Sequence, residues 1–205
     1  MKRFTFAAVF CLVSSWSFGA NDRGEGLFET CIPCHGEQGE GNLKLAAPTI
    51  AGMQEWYIVN QLKHFRGGAR GYHPQDAGGL RMSPLARTLD NEEDVKTVAK
   101  YVAAMPKVPL QDVVEGGRPL KGKAAYAICS ACHGPDAKGN EGLHAPDLTQ
   151  TNDWYLLTQL KNFKADIRGA QPSLDPFGNQ MAGQAKGIAD EQAMKDLVTY
   201  IRSLR

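Results

Sequence analysis

The sequence lacks an excess of charge of either sign: 23 lysines and arginines stand against 22 aspartates and glutamates in 205 residues. Nucleic-acid surfaces usually need a clear basic excess, so the balance argues against that class of partner. It also lacks a long apolar run; none approaches the ~18 to 20 residues that span a bilayer. Aromatic residues are scarce at 8%, yet the 42% apolar content is enough for a packed core, which excludes a disordered chain. Cysteine is present in an odd number, five. In an exported protein that leaves a free thiol or an intermolecular bridge to explain.

The first residues resolve the odd count. A basic tip, Met1-Lys2-Arg3, precedes an apolar stretch from Phe4 to Val13 and a small-residue exit ending Ser17-Phe18-Gly19-Ala20. These are the parts of a secretory signal peptide, expected over residues 1–19 with cleavage after Gly19 or Ala20. Its apolar centre is too short for a stable membrane anchor. Removal takes Cys11, Lys2 and Arg3, leaving four cysteines, 21 basic and 22 acidic side chains, and a net charge of −1. The mature chain is then expected in an oxidising compartment, the periplasm.

The four remaining cysteines form Cys31-Ile32-Pro33-Cys34-His35 and Cys129-Ser130-Ala131-Cys132-His133. C-x-x-C-H is the attachment signature of c-type haem. Two thiols add across the two vinyl groups, and two intervening residues let one helical turn present both sulfurs to one edge of the macrocycle. The adjacent histidine then reaches the iron as proximal ligand. Three other uses compete. Two disulfides would not require a histidine after each pair. A zinc site would need the pairs closer than the 98 residues that separate them. A thioredoxin-like centre needs one such motif in an α/β setting, not two in glycine-rich surroundings.

The repeat extends beyond the motif. At an offset of 98, Gly24 matches Gly122, Phe28 matches Tyr126, Ala47-Pro48 matches Ala145-Pro146, and Trp56-Tyr57 matches Trp154-Tyr155. Gln61-Leu62-Lys63 matches Gln159-Leu160-Lys161, and Arg70-Gly71 matches Arg168-Gly169. After one inserted residue, Met82 matches Met181. The fold class is therefore all-α, two small tandem domains from an internal duplication: residues 20–105 and 119–205, joined over 106–118 by a linker containing proline and glycine.

Each half predicts three main helices. The first ends at the haem motif (Gly24 to His35, Gly122 to His133), the second runs Trp56 to Phe65 and Trp154 to Phe163, and the third is terminal. In the third, Val95, Val98, Val102 and Met105 follow 3-4-3 spacing with Asp90 or Asn91 as cap. Met194, Leu197, Val198, Ile201 and Leu204 do the same behind Asp190. Gly24 with Tyr101, and Gly122 with Tyr200, mark close packing of terminal helices. Each half has a thin core, and covalent haem would supply much of the missing buried surface.

Met82 and Met181 fall 47 and 48 residues after their histidines, in stretches marked by glycine and proline that read as loops. They are the candidates for the sixth iron position, where methionine gives a closed site suited to electron transfer. Met105 and Met194 read as core, and Met53 lacks a duplicate. His64, His73 and His144 are rival ligands, but none recurs. Trp56, Trp154, Arg70 and Arg168 are candidates to meet haem propionates or simply to pack. Lys63 and Lys161 read as solvent-facing.

Two tandem class I cytochrome c domains behind a signal peptide resemble bacterial dihaem cytochrome c4 over the whole mature chain. The resemblance implies a non-enzymatic periplasmic carrier with two covalently bound haem c groups. Cys31, Cys34, Cys129 and Cys132 would anchor them, with iron held by His35/Met82 and His133/Met181. It implies redox-protein partners, a respiratory donor and a terminal oxidase or other acceptor, with peripheral membrane association possible. The alternative is a cytochrome subunit of a flavin- or quinone-cofactor dehydrogenase. A haem enzyme such as a peroxidase is a further one, although both halves offer a methionine that would close the iron. The halves carry −2 and +1, too small a difference to define a partner surface.

Overall fold

The computed structural model describes residues 20–205; the signal-peptide expectation lies outside the described residues. Among these there are nine α-helices and no strand. The first half contains α1 (Ala20–Phe28), α2 (Ile32–His35), α3 (Glu55–Gly67), α4 (Ala77–Ala86) and α5 (Glu92–Ala104). The second contains α6 (Pro119–His133), α7 (Asp153–Lys164), α8 (Pro176–Lys186) and α9 (Glu191–Arg202). In each half the first and last helices cross, and the middle helices pack beside them.

The terminal helices begin where their caps dictate. The Asn91 side chain accepts from Asp94 N–H at 2.9 Å and the Asp190 side chain from Ala193 N–H at 2.8 Å. Glu92, Glu93 and Asp94 set negative charge against the positive end of α5. Val95, Val98 and Val102 are buried with Phe28 and Leu89 in the first core. Tyr126, Leu156, Leu197, Val198 and Ile201 form the second, and Met194 is buried as well. Each such side chain contributes about 1.5–3 kcal/mol. The crossings are close: a Cβ on Gly24 would lie 2.6 Å from Tyr101 Cβ, and one on Gly122 would lie 1.9 Å from the Asp196 carbonyl oxygen.

Two expectations differ from the structure. The first helix of the first half is broken at residues 29–31, whereas α6 runs unbroken. Pro33 has no N–H to give to the Glu29 carbonyl, while Ala131, its counterpart, keeps one. Met82 and Met181 lie on helices α4 and α8 rather than in loops. Asp76 caps Gly79 N–H at 2.9 Å and Asp175 caps Gly178 N–H at 2.7 Å, and these caps start helices through stretches whose glycines and Pro84 suggested otherwise.

The stretch 106–118 has no helix, but it is strapped to the second half. Val113 and Val114 N–H both donate to the Asp153 carboxylate at 2.9 Å, and Arg202 donates to the same group at 3.1 Å. Asp153 is fully buried, and Val114 enters the second core. The first half has Glu55, exposed, at the corresponding position, so comparison of the repeats does not reveal Asp153.

Candidate functional site

The same local construction appears in each half. Cys31 is the N-cap residue of α2 and Cys34 lies within it, and Cys129 and Cys132 lie in the last five residues of α6. No disulfide joins any of the four. Burial pushes the Cys31 thiol up to about 11, with Cys34 adding to the shift, and burial raises Cys129 as well. Redox-active and nucleophilic cysteines have depressed values, so this environment disfavours thioredoxin-like chemistry.

Each helix stops on a glycine with positive φ, Gly36 at 80° and Gly134 at 78°. The chain then folds back through paired bridges, Asn42 with Ala47 and Asn140 with Ala145. Gly41 N–H donates to the His35 carbonyl at 2.7 Å and Gly139 N–H to the His133 carbonyl at 2.9 Å. This return brings Pro48 beneath His35 and Pro146 beneath His133. His35 Nδ1–H donates to the Pro48 carbonyl at 2.8 Å, and His133 Nδ1–H to the Pro146 carbonyl at 3.0 Å. A carbonyl oxygen only accepts, so Nδ1 must carry the proton. Burial holds both imidazoles below their ordinary value, hence neutral near pH 7. Nε2 is then the free lone pair, as a metal-ligating histidine requires. Pro48 and Pro146 recur in the sequence, and that duplication was the available signal; a proline carbonyl gives no motif of its own.

Met82 and Met181 are half-buried. Met181 packs against Phe163, Ala182 and Ala185. On either side of Met82 the helix is tied down: Arg81 donates to the Leu45 carbonyl at 2.8 Å, and Ser83 Oγ–H donates to the Phe65 carbonyl at 3.0 Å. The first tie links the Met82 segment to the loop that follows His35. Of the rival histidines, His64 and His144 lie at contacts between the halves, and His73 Nδ1 accepts from Gln75 N–H at 3.2 Å. His64 Nδ1 lies 3.6 Å from Asp175 of the other half. Burial lowers His64, Asp175 opposes this, and Arg168 and Arg70 reinforce it, so the ring is neutral. His144 stacks on Phe177 with ring centroids 3.8 Å apart, and Trp56 approaches it edge-on at 6.0 Å. Lys63 and Lys161 are exposed and pair with Glu92 and Glu191.

The two halves meet through a reciprocal polar network. Arg70 donates to Gln61 at 2.7 Å within its half, and to Tyr155 at 3.1 Å and Gln159 at 3.2 Å across the interface. Arg168 repeats the pattern, donating to Gln159 at 2.8 Å, Gln61 at 2.9 Å and Tyr57 at 3.5 Å. Thr49 N–H donates to the Asn152 side chain at 2.8 Å, and Asp147 N–H to the Gln54 side chain at 2.9 Å. Position for position this is an isologous contact, with the two repeats standing where two subunits would. Gln61, Gln159, Tyr57 and Tyr155 were visible as repeats without an assigned role. Gln54 with Asn152, and Thr49 with Asp147, differ in identity, so the repeat hid them.

Among the described residues the hydrogen bonds of Arg70 and Arg168 go to glutamine and tyrosine side chains and to no protein carboxylate. Both guanidiniums are buried, both lie over phenylalanine rings, and each keeps a buried Nε–H without an acceptor. Trp56 Nε1–H, Trp154 Nε1–H and the Tyr72 hydroxyl are likewise buried without partners. The field is positive: burial would push the Tyr57 phenol up, but Arg168 and Arg70 outweigh it and hold Tyr57 below its ordinary value. Buried donors in a positive field fit the carboxylates of haem, whose burial needs such partners. Together with the cysteine pairs and the Nε2-directed histidines, the residues present fit two haem c groups.

Comparison with known proteins gives the same picture. Residues 21–106 and again 120–205 match the cytochrome c family. Cytochrome c4 of Thiocapsa roseopersicina is 31% identical over 79% of this chain and 81% of its own. The thiosulfate dehydrogenase electron acceptor of Thiomonas intermedia is 32% identical over 70% of this chain and 66% of its own. The solved structure of Acidithiobacillus ferrooxidans cytochrome c4 superposes with a TM-score of 0.65 at 27% identity, covering 86% of this chain and 99% of that one.

Proposed function

This chain belongs to the cytochrome c family, with two such domains in tandem, and on that premise we propose that it carries single electrons between respiratory proteins of the periplasm. It is a dihaem electron carrier with two covalently attached haem c groups. When bound, haem c supplies an iron that alternates between ferric and ferrous states. The chain's own residues do the rest. Cys31/Cys34 and Cys129/Cys132 anchor the two groups by thioether bonds. His35 and His133 present neutral Nε2, held in that tautomer by Pro48 and Pro146. Met82 and Met181 would hold the iron together with these histidines and so leave substrate no place to bind it.

The observation that carries this reading is the repeated histidine-to-proline hydrogen bond, which leaves each Nε2 free to hold iron beside its cysteine pair and has no use in a disulfide. The orphaned donors near the interface support a second element. Arg70, Arg168, Trp56 and Trp154 would offer their unpartnered donors to haem propionates.

The acceptor we favour is a terminal oxidase, with the carrier docking transiently at the membrane surface. Among the described residues no helix is long and apolar enough to cross a membrane. A second reading, electron acceptor of a periplasmic dehydrogenase, is favoured by the Thiomonas relative. Reductive titration of the purified holoprotein tests the core of the proposal: uptake of two electrons per chain, with two haems by alkaline pyridine assay. Uptake of one electron, or one haem per chain, would overturn it.

A further inference from the structure

The two halves differ in the residues on the outer side of their haem-bearing segments. On α6 the buried side is Gly122, Tyr126 and His133. The opposite side carries Leu120, Ala124, Ala127, Ile128 and Ala131, all exposed. At 3.6 residues per turn these make one continuous apolar stripe. Leu120 is 83% exposed and Ile128 70%, the two highest values among the large apolar side chains described. Lys121 and Lys123 stand on either side of the stripe, and neither forms an ion pair among the described residues. Ile128 lies one turn before Cys132, itself exposed, so the stripe ends at a haem-anchoring sulfur.

The first half offers a built-in control. The offset of 98 places Asp22, Gly26, Glu29, Thr30 and Pro33 at the stripe positions. Residues 118–134 hold three cations and no carboxylate; the equivalent 20–36 hold one arginine and three carboxylates. Duplication therefore kept the attachment chemistry and diverged the surface around it.

We propose that the outer face of α6 is the docking surface through which the second half exchanges electrons with a redox protein that presents an apolar patch rimmed by carboxylates. This rests on the electron-carrier reading. A self-contact across this face would set lysines against lysines. A membrane anchor would need more bulk than two large side chains and three alanines, and aromatic residues at the interface depth. A small flat patch with a basic rim suits a transient redox encounter, in which apolar contact gives close approach and rim charge steers it.

The test uses plastocyanin, a soluble copper protein with an apolar patch beside acidic residues. Isotope-labelled ferrous holoprotein is titrated with the redox-inert cadmium form and followed by amide chemical shifts. The expected shifts fall on Leu120, Ala124, Ile128 and Ala131, and not on Gly26 or Thr30. Ile128→Glu is expected to weaken binding, and to slow electron transfer to the native copper form, by about tenfold, with added salt weakening the wild-type complex. Thr30→Glu, its counterpart, is expected to change neither.

Shifts confined to other surfaces, or equal binding by Ile128→Glu, would overturn the proposal. So would a wild-type dimer that Ile128→Glu converts to monomer, or phosphatidylglycerol-vesicle binding that the same change abolishes. Oxidation by tris(phenanthroline)cobalt(III), which needs no docking face, separates the two levels. If all variants react alike while plastocyanin binding ignores Ile128, the docking surface fails and the carrier stands. If none reacts, the carrier reading itself fails.

Discussion

Removing the Gln159 amide should loosen the contact between the two haem domains, by an amount the geometry sets. Its Oε1 accepts from Arg168 at 2.8 Å and from Arg70 at 3.2 Å, both buried. Gln159→Leu keeps the volume and leaves two guanidinium N–H groups without acceptors. Hydrogen bonds to charged groups contribute about 1.5–3 kcal/mol each, and the longer one less. Both arginines keep Gln61 and a tyrosine, so relaxation recovers part of the loss. The expected cost is about 3 kcal/mol, read as a lower guanidinium-chloride midpoint of the ferric holoprotein. Gln159→Glu returns an acceptor and adds a negative charge between two cations, so it should restore most of the stability. The reasoning is refuted if Gln159→Leu costs less than about 0.5 kcal/mol, the range of a featureless surface change. It is also refuted if Gln159→Glu destabilises as much as Gln159→Leu.

Two further outcomes follow from other parts of the fold. Gly122→Ala places a methyl group against the Asp196 carbonyl at 1.9 Å, so α6 and α9 must part; a loss of about 1–3 kcal/mol in thermal or denaturant unfolding is expected, the range for overpacking. Asp196 accepts from Arg118 N–H at 2.8 Å and from its side chain at 2.7 Å, and the Arg118 guanidinium holds its carboxyl well below the usual carboxylate range. A depressed carboxyl stabilises the fold above its unfolded value of about 3.9, and that contribution fades as pH falls through the folded value. Asp196→Asn should therefore be less stable than wild type at pH 7, with the difference shrinking steadily below about pH 4.

Much of the molecule was legible because a duplicated sequence is its own comparison. The cysteine pairs, both histidines, the helix-packing glycines and the terminal-helix caps recur, and each has a local physical reason to do so. The helices carrying Met82 and Met181 were misread because their glycines and Pro84 resemble loop chemistry, while a single side-chain cap on each decided the outcome. The break before α2 turned on one proline, a difference of one hydrogen bond between repeats. Contacts between the halves were the hardest to see. Gln54 with the backbone of Asp147, Asn152 with that of Thr49, and the strap of Val113 and Val114 on Asp153, depend on the relative placement of segments that no local pattern encodes. The α6 stripe illustrates the reverse case: its residues are plain in the sequence, but only burial shows that they face outward.

The central claim, two closed haem sites each held by histidine and methionine, is tested most directly by the optical spectrum of the ferric holoprotein and its single variants. The weak long-wavelength band that marks thioether sulfur on ferric haem should be present with an intensity of two haems per chain. Met82→Ala should remove about half of it and Met181→Ala the other half, with both haems still covalently attached. A full-intensity band in either variant would contradict the assignment of that methionine, and absence of the band in the wild-type protein would contradict the account as a whole.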